Sequence, residues 1–155
     1  MGRMYAINLS PTAITVAADL VEISPADDLP VLIHGFRVWQ TTDTGDAAEE
    51  IITLSWIRGY TASGSGGSAG SAVPKNHRDA AAGFACEVGN TTAATTGTAV
   101  TVYSTGWNVR APLEVVFTPE QRIRADQGNT TILLRMGAAP ADSLTIGVSV
   151  DVEEL

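Results

Sequence analysis

Apolar residues recur in this chain with a period of two, in short runs separated by turn-forming residues. The clearest run is the last. Leu144, Ile146, Val148, Val150 and Val152 alternate with Thr145, Gly147, Ser149, Asp151 and Glu153. Strict alternation predicts a β-strand with one buried and one wet face. The heaviest apolar stretch is 29–59. It predicts two strands, 29–40 and 50–58, paired as a hairpin across an acidic loop at 41–49. The first limb carries apolar residues at both parities, so both of its faces are expected to be covered. The second sets Ile52, Leu54 and Trp56 on one face and Ile51, Thr53, Ser55 and Ile57 on the other.

The remaining strands are shorter. Tyr5, Ile7 and Leu9 alternate in a first strand, which Pro11 ends or marks as an edge. Residues 12–23 predict two strands around a bend at Ala17, Ala18 and Asp19. Further strands are expected at 83–88, with Phe84 and Cys86 on one face, and at 98–103, 113–117 and 130–136. Residues 24–28, 118–122 and 140–143 have turn composition. Residues 107–110 read as irregular, 123–128 as polar, and 77–83 as a turn or two of helix at most. About eight to ten short strands with regular turn signals describe an all-β sandwich or barrel. A two-sheet antiparallel jelly-roll-type sandwich fits the length and strand number, with an immunoglobulin-type sandwich as the alternative. The 155 residues suit a single domain, 1–155. One segment departs from the strand pattern. Residues 60–74 include the Gly/Ser-rich run 63–71, which predicts a flexible exposed loop that orders against a partner.

Composition narrows the function. Nine Lys plus Arg against 17 Asp plus Glu leave a net charge of -8. That opposes binding to nucleic acid, whose affinity rests on basic groups, and docking on anionic membranes. It suits steering toward a basic protein surface. No apolar run approaches the ~20 residues of a membrane span. The N-terminal residues lack the apolar core of a signal peptide, so synthesis in the cytoplasm is expected. Cys86 is the only cysteine, which leaves no intramolecular disulfide. Asn90 and Asn129 begin glycosylation-type triplets, which matter only on a secretory route.

Candidate chemistry is sparse. His34, inside an apolar strand, reads as a packed, hydrogen-bonded histidine, and His77 as a solvated one. Cys86 reads as a small buried hydrophobe. The glycines of 63–71 run into Ser71-Ala72-Val73-Pro74-Lys75, without the Gly-Lys-Ser/Thr and helix of a phosphate loop. No nucleophile elbow, zinc-protease helix or paired-cysteine motif occurs, so no catalytic residue, cofactor or metal ligand is assigned. Trp39, Trp56 and Trp107, with Arg110 near the last, are the candidate protein-interface residues, because Trp and Arg are enriched at binding hot spots. Trp39 and Trp56 suit a core or a subunit interface. Trp107 suits core packing first, or it could stack on a sugar or a protein partner, with Tyr103 and Tyr60 as further stacking platforms.

Six stretches form a further pattern: Met1-Gly2-Arg3-Met4-Tyr5, Ala17-Ala18-Asp19-Leu20-Val21-Glu22-Ile23, the Gly/Ser run 63–71, residues 90–98, Ala138-Ala139-Pro140-Ala141-Asp142-Ser143-Leu144 and Val152-Glu153-Glu154-Leu155. With them, over nearly its whole length, the chain resembles the jelly-roll head decoration (cement) proteins of tailed bacteriophages. The stretches are turns and strands, and no residue inherits a family binding role. The resemblance implies a non-enzymatic virion protein on the capsid exterior. It would be a homotrimer bound to the major capsid protein, clamping adjacent capsomers. A carbohydrate- or receptor-binding module of a phage fibre or tail is the alternative that the same architecture allows.

Overall fold

A computed structural model describes residues 2–42, 49–126 and 131–155. Among them twelve β-strands and one 3-10 turn (Pro119–Gln121) build two antiparallel sheets, and no α-helix occurs. The longer strands are β1 (Arg3–Ile14), β2 (Ala18–Ser24), β3 (Val31–Gln40), β4 (Ile51–Tyr60), β7 (Ala85–Asn90), β8 (Gly97–Asn108), β11 (Thr131–Met136) and β12 (Leu144–Glu154). The short ones are β5 (Ser68–Ala69), β6 (Ala72–Pro74), β9 (Leu113–Val116) and β10 (Ile123–Ala125).

Pairing is nested, first strand with last. β1 pairs with β12, β2 with β11, β3 with β9, and β4 with β8. Folding that long double arm over on itself sends alternate pairs to opposite sheets. The first sheet runs β10-β3-β12-β1-β6, with β9 also on β3, and the second runs β5-β7-β2-β11-β4-β8. This is the jelly-roll arrangement of a β-sandwich.

The nesting corrects the expected hairpin. β3 and β4 follow one another in sequence yet lie in opposite sheets, because each finds its partners far along the chain. Of the expected acidic loop between them, residues 43–48 lie outside the described residues, as does Asn129. Pro11 does not end β1. The register against β12 shifts between Leu9 and Thr12, so the proline sits in a bulge and the strand continues to Ile14.

The insertion between β4 and β8 closes one flank of the sandwich. β6 extends the first sheet beyond β1, and β5 with β7 extends the second beyond β2. The Gly/Ser-rich stretch expected as a flexible loop is therefore tied into the second sheet through β5. Gly70 N–H donates to the Cys86 carbonyl at 2.8 Å, and Ser65 exchanges backbone bonds with Thr92 at 2.9 Å. Residues 77–83 form turns without helix.

The core is the space between the sheets. Leu144, Ile146, Val148, Val150 and Val152 of β12 all point into it, as their alternation requires. They meet Tyr5, Ile7, Phe36, Leu20, Leu54, Trp56 and Leu134 there. The opposite face of β12 is less wet than its polarity suggests, for Gly147 and Glu153 are both buried. A second, smaller cluster of Ile57, Tyr60, Ala94 and Leu133 lies on the outer side of the second sheet.

Candidate functional site

The four candidate interface residues part company in the fold. Trp56 is fully buried between the sheets, edge-on to Phe36 at 5.9 Å, and its indole N–H has no partner among the described residues. Trp107 belongs to β8 rather than to a loop. It is buried, and its Nε1 donates to the Ala111 carbonyl at 2.8 Å. Both are core residues, the core use that the sequence allowed for each: their β-strand parity turns them inward. Tyr60 is also buried, under the Arg135 guanidinium at 5.0 Å, and Tyr103 packs edge-on to Phe117 at 5.1 Å. Trp56, Trp107 and Tyr60 are buried, and Tyr103 is half-buried. Trp39 and Arg110 stay at the surface. Trp39 is half-buried on the outer face of the first sheet and lies across Gly147. Arg110 is exposed after β8 and pairs with Glu49 at 3.0 Å.

His34 is hydrogen-bonded as expected, with Nε2 2.7 Å from Glu153 Oε2. The other Glu153 oxygen accepts from the Gly2 amide at 2.9 Å. Burial alone would raise the Glu153 carboxyl. The hydrogen bonds from His34 and Gly2, with the charges of His34 and Arg122, outweigh it and hold the group below its ordinary value. Burial pushes the Cys86 thiol up, which disfavours the reactive thiolate. His77 is exposed. Among the described residues no three His, Cys, Asp or Glu side chains converge on a common metal position.

Three further buried acids do structural work that the alternation pattern did not reveal. Asp19 on β2 receives a fork of bonds from Arg135 on β11, Nε to Oδ1 at 2.6 Å and Nη2 to Oδ2 at 3.0 Å. That fork is the main reason the Arg135 guanidinium is raised above its ordinary value. Glu22 sits directly opposite Glu87 across β2 and β7. The Ser63 hydroxyl lies within hydrogen-bond reach of both, at 2.6 Å from Glu22 Oε2, and the Gly64 amide donates to Glu22 at 3.0 Å. Glu154 holds Arg3 at 2.7 Å and the Gly83 amide at 2.6 Å. Each acid ties a loop or the N-terminal strand onto a sheet. The available signal was their position: Asp19, Glu22 and Arg135 interrupt otherwise apolar strands.

What faces outward differs between the sheets. On the first sheet, strand register sets Val73, Ala6, Asp151, Gly35 and Val116 in one row across β6, β1, β12, β3 and β9. Val73 and Val116 are exposed at its two ends. The charges beside them are mutually paired: Lys75 to Asp151 at 2.6 Å, Asp151 to Arg37 at 3.4 Å, and Arg37 to Glu114 at 2.8 Å. The second sheet is covered on the β2 and β7 side by residues 61–70 and 91–96. On the β4 and β8 side it shows Ile51, Thr53, Ser104, Gly106 and Asn108 to solvent. No protein-family model matches the chain, and neither a curated protein nor a solved structure matches it.

Proposed function

We propose that this chain is a non-enzymatic structural protein of a bacteriophage virion, which binds the outer surface of the capsid and holds adjacent capsomers together. The observation that carries the proposal is the row across the first sheet. It is a strand-built face with Asp151 at its centre between Ala6 and Gly35, exposed valines at both ends and charges satisfied by one another. Covering such a face with protein freezes few rotamers and strands few charges, so the ordering cost of docking is low. The resemblance, over nearly the full length, implies the major capsid protein as partner and a trimeric form. The net charge of -8 favours approach to a basic shell surface over packaged DNA. Each bound copy would stabilise the assembled shell by mass action, because it binds the assembly and not its separated parts.

The test is addition of purified protein to bare capsids of its phage, read by co-sedimentation and by the temperature at which the shell disrupts. Binding and a raised disruption temperature are expected, both diminished by Val73→Lys and Val116→Lys. Absence of binding across a range of salt overturns the proposal.

A further inference from the structure

Among the described residues, three of the four sheet edges are blunt. The first sheet ends in β6, of three residues, on one side, and in β9 and β10, of four and three, on the other. The second sheet ends in β5, of two residues. The remaining edge is β8, of twelve residues. An uncovered strand edge is a row of N–H and C=O groups that invites another strand, and proteins protect it by brevity, charge, proline or bulges. From Gly97 to Asn108 there is no charged residue and no proline. Both shifts of register against β4 fall in the Gly97–Val102 half, while Tyr103–Asn108 pairs residue for residue with Ile51–Trp56. Val109 N–H donates to the Glu50 carbonyl, which fixes the alternation beyond it. Ser104, Gly106 and Asn108 therefore turn their backbone groups away from β4, and all three are exposed.

We infer that this half of β8 pairs antiparallel with β8 of a second copy of the chain, joining two second sheets into one. The occupant follows from charge. Copies carrying -8 each repel, so they meet at least cost on a surface without acids. A two-fold axis sets each residue of β8 against residues of the same strand, and any charge there would face its own kind. β8 has none. Beside the edge, Ile51 is 73% exposed and lies over Gly106, with the short side chains of Thr53 and Ser55 next to it. That patch adds apolar contact to the backbone bonds. The surface is separate from the face proposed to meet the capsid, so the pairing does not rest on that proposal. It coexists with the implied trimer only as trimers joined in pairs.

Native mass spectrometry and sedimentation across a concentration series test it, with amide exchange read at Ser104 and Gly106. Dimers or hexamers are expected, with those amides gaining protection as concentration rises. Ser104→Lys puts a charge on the edge. Asn108→Lys does the same without touching the Ser55 hydroxyl that Ser104 meets, should the first variant fold poorly. Each is expected to weaken pairing about tenfold or more. Val116→Lys, on the other sheet, is expected to leave pairing unchanged while lowering capsid addition. Monomers or isolated trimers at every concentration overturn the inference. So does pairing that survives both edge lysines, or that Val116→Lys weakens equally. Paired protein that ignores capsids would sink the capsid proposal alone.

Discussion

Arg135 lies within a central strand, set in the run Thr-Ile-Leu-Leu-Arg-Met of β11. Its fork to Asp19 is completed by bonds to the Tyr60 hydroxyl at 2.7 Å and the Ala94 carbonyl at 2.9 Å. Removing it would leave the fully buried Asp19 carboxylate with the Ala94 amide, 2.7 Å away, as its remaining partner. A buried charge stripped of its counter-ion costs about 3–5 kcal/mol. Arg135→Met is expected to lose stability on that scale in urea unfolding. Adding Asp19→Asn to it should restore part of the loss, because the orphaned charge goes with it. Gly147 makes a different demand. A β-carbon there would run into the Trp39 indole, so the ring lies flat on the sheet only while this residue is glycine. Gly147→Val is expected to cost about 1–3 kcal/mol by overpacking and to shift Trp39 emission to the red as the ring is pushed into water.

The Gly/Ser-rich strap shows where elements were and were not legible. Its composition is that of a linker, but its glycines let the backbone approach the sheet. The Gly64 and Gly67 amides donate to Glu22 and to Asn90 Oδ1 at 3.0 and 3.1 Å. A β-carbon at Gly64 would collide with the Thr92 carbonyl. The partners of Ser63, Glu22 and Glu87, lie 41 and 24 positions away. No local pattern reveals such contacts. The clasp also has a proton dependence. The Ser63 hydroxyl, then the Asn90 amide, hold the Glu87 carboxyl below its ordinary value against the effect of burial, and Glu153 is depressed likewise in its own setting. For a carboxyl lowered by folding, the stability it lends is complete above the unfolded value, here 4.5, and is lost as pH falls through the folded one. The melting temperature should therefore decline as pH drops from about 5 to about 3. Ser63→Ala should raise the Glu87 pKa toward its ordinary value in an NMR titration and make the decline shallower.

At the scale of the whole molecule, alternation disclosed the strands and left their pairing hidden. β12 could be read directly from Leu144 to Val152, because its two faces meet different surroundings. That its neighbours are β1 and β3 depends on contacts across almost the full length of the chain, which periodicity does not encode. Charge, by contrast, is a property of the whole chain and yields a prediction that separates the two surfaces. Repulsion between copies of -8 reaches over about 10 Å at 0.1 M salt and is largely screened at 1 M. The β8 edge is uncharged, so salt removes the opposition to pairing without weakening the contact itself. Self-association should tighten as sodium chloride rises from about 0.05 M to about 0.5 M, measured by sedimentation. On the proposed function, addition of this acidic protein to capsids is expected to loosen over the same range in co-sedimentation. Self-association that loosened with salt would be ionic in origin. It would move the self-contact from β8 to the paired charges of Lys75, Asp151, Arg37 and Glu114 on the first sheet, whose exchange between copies is the contact that screening would dissolve.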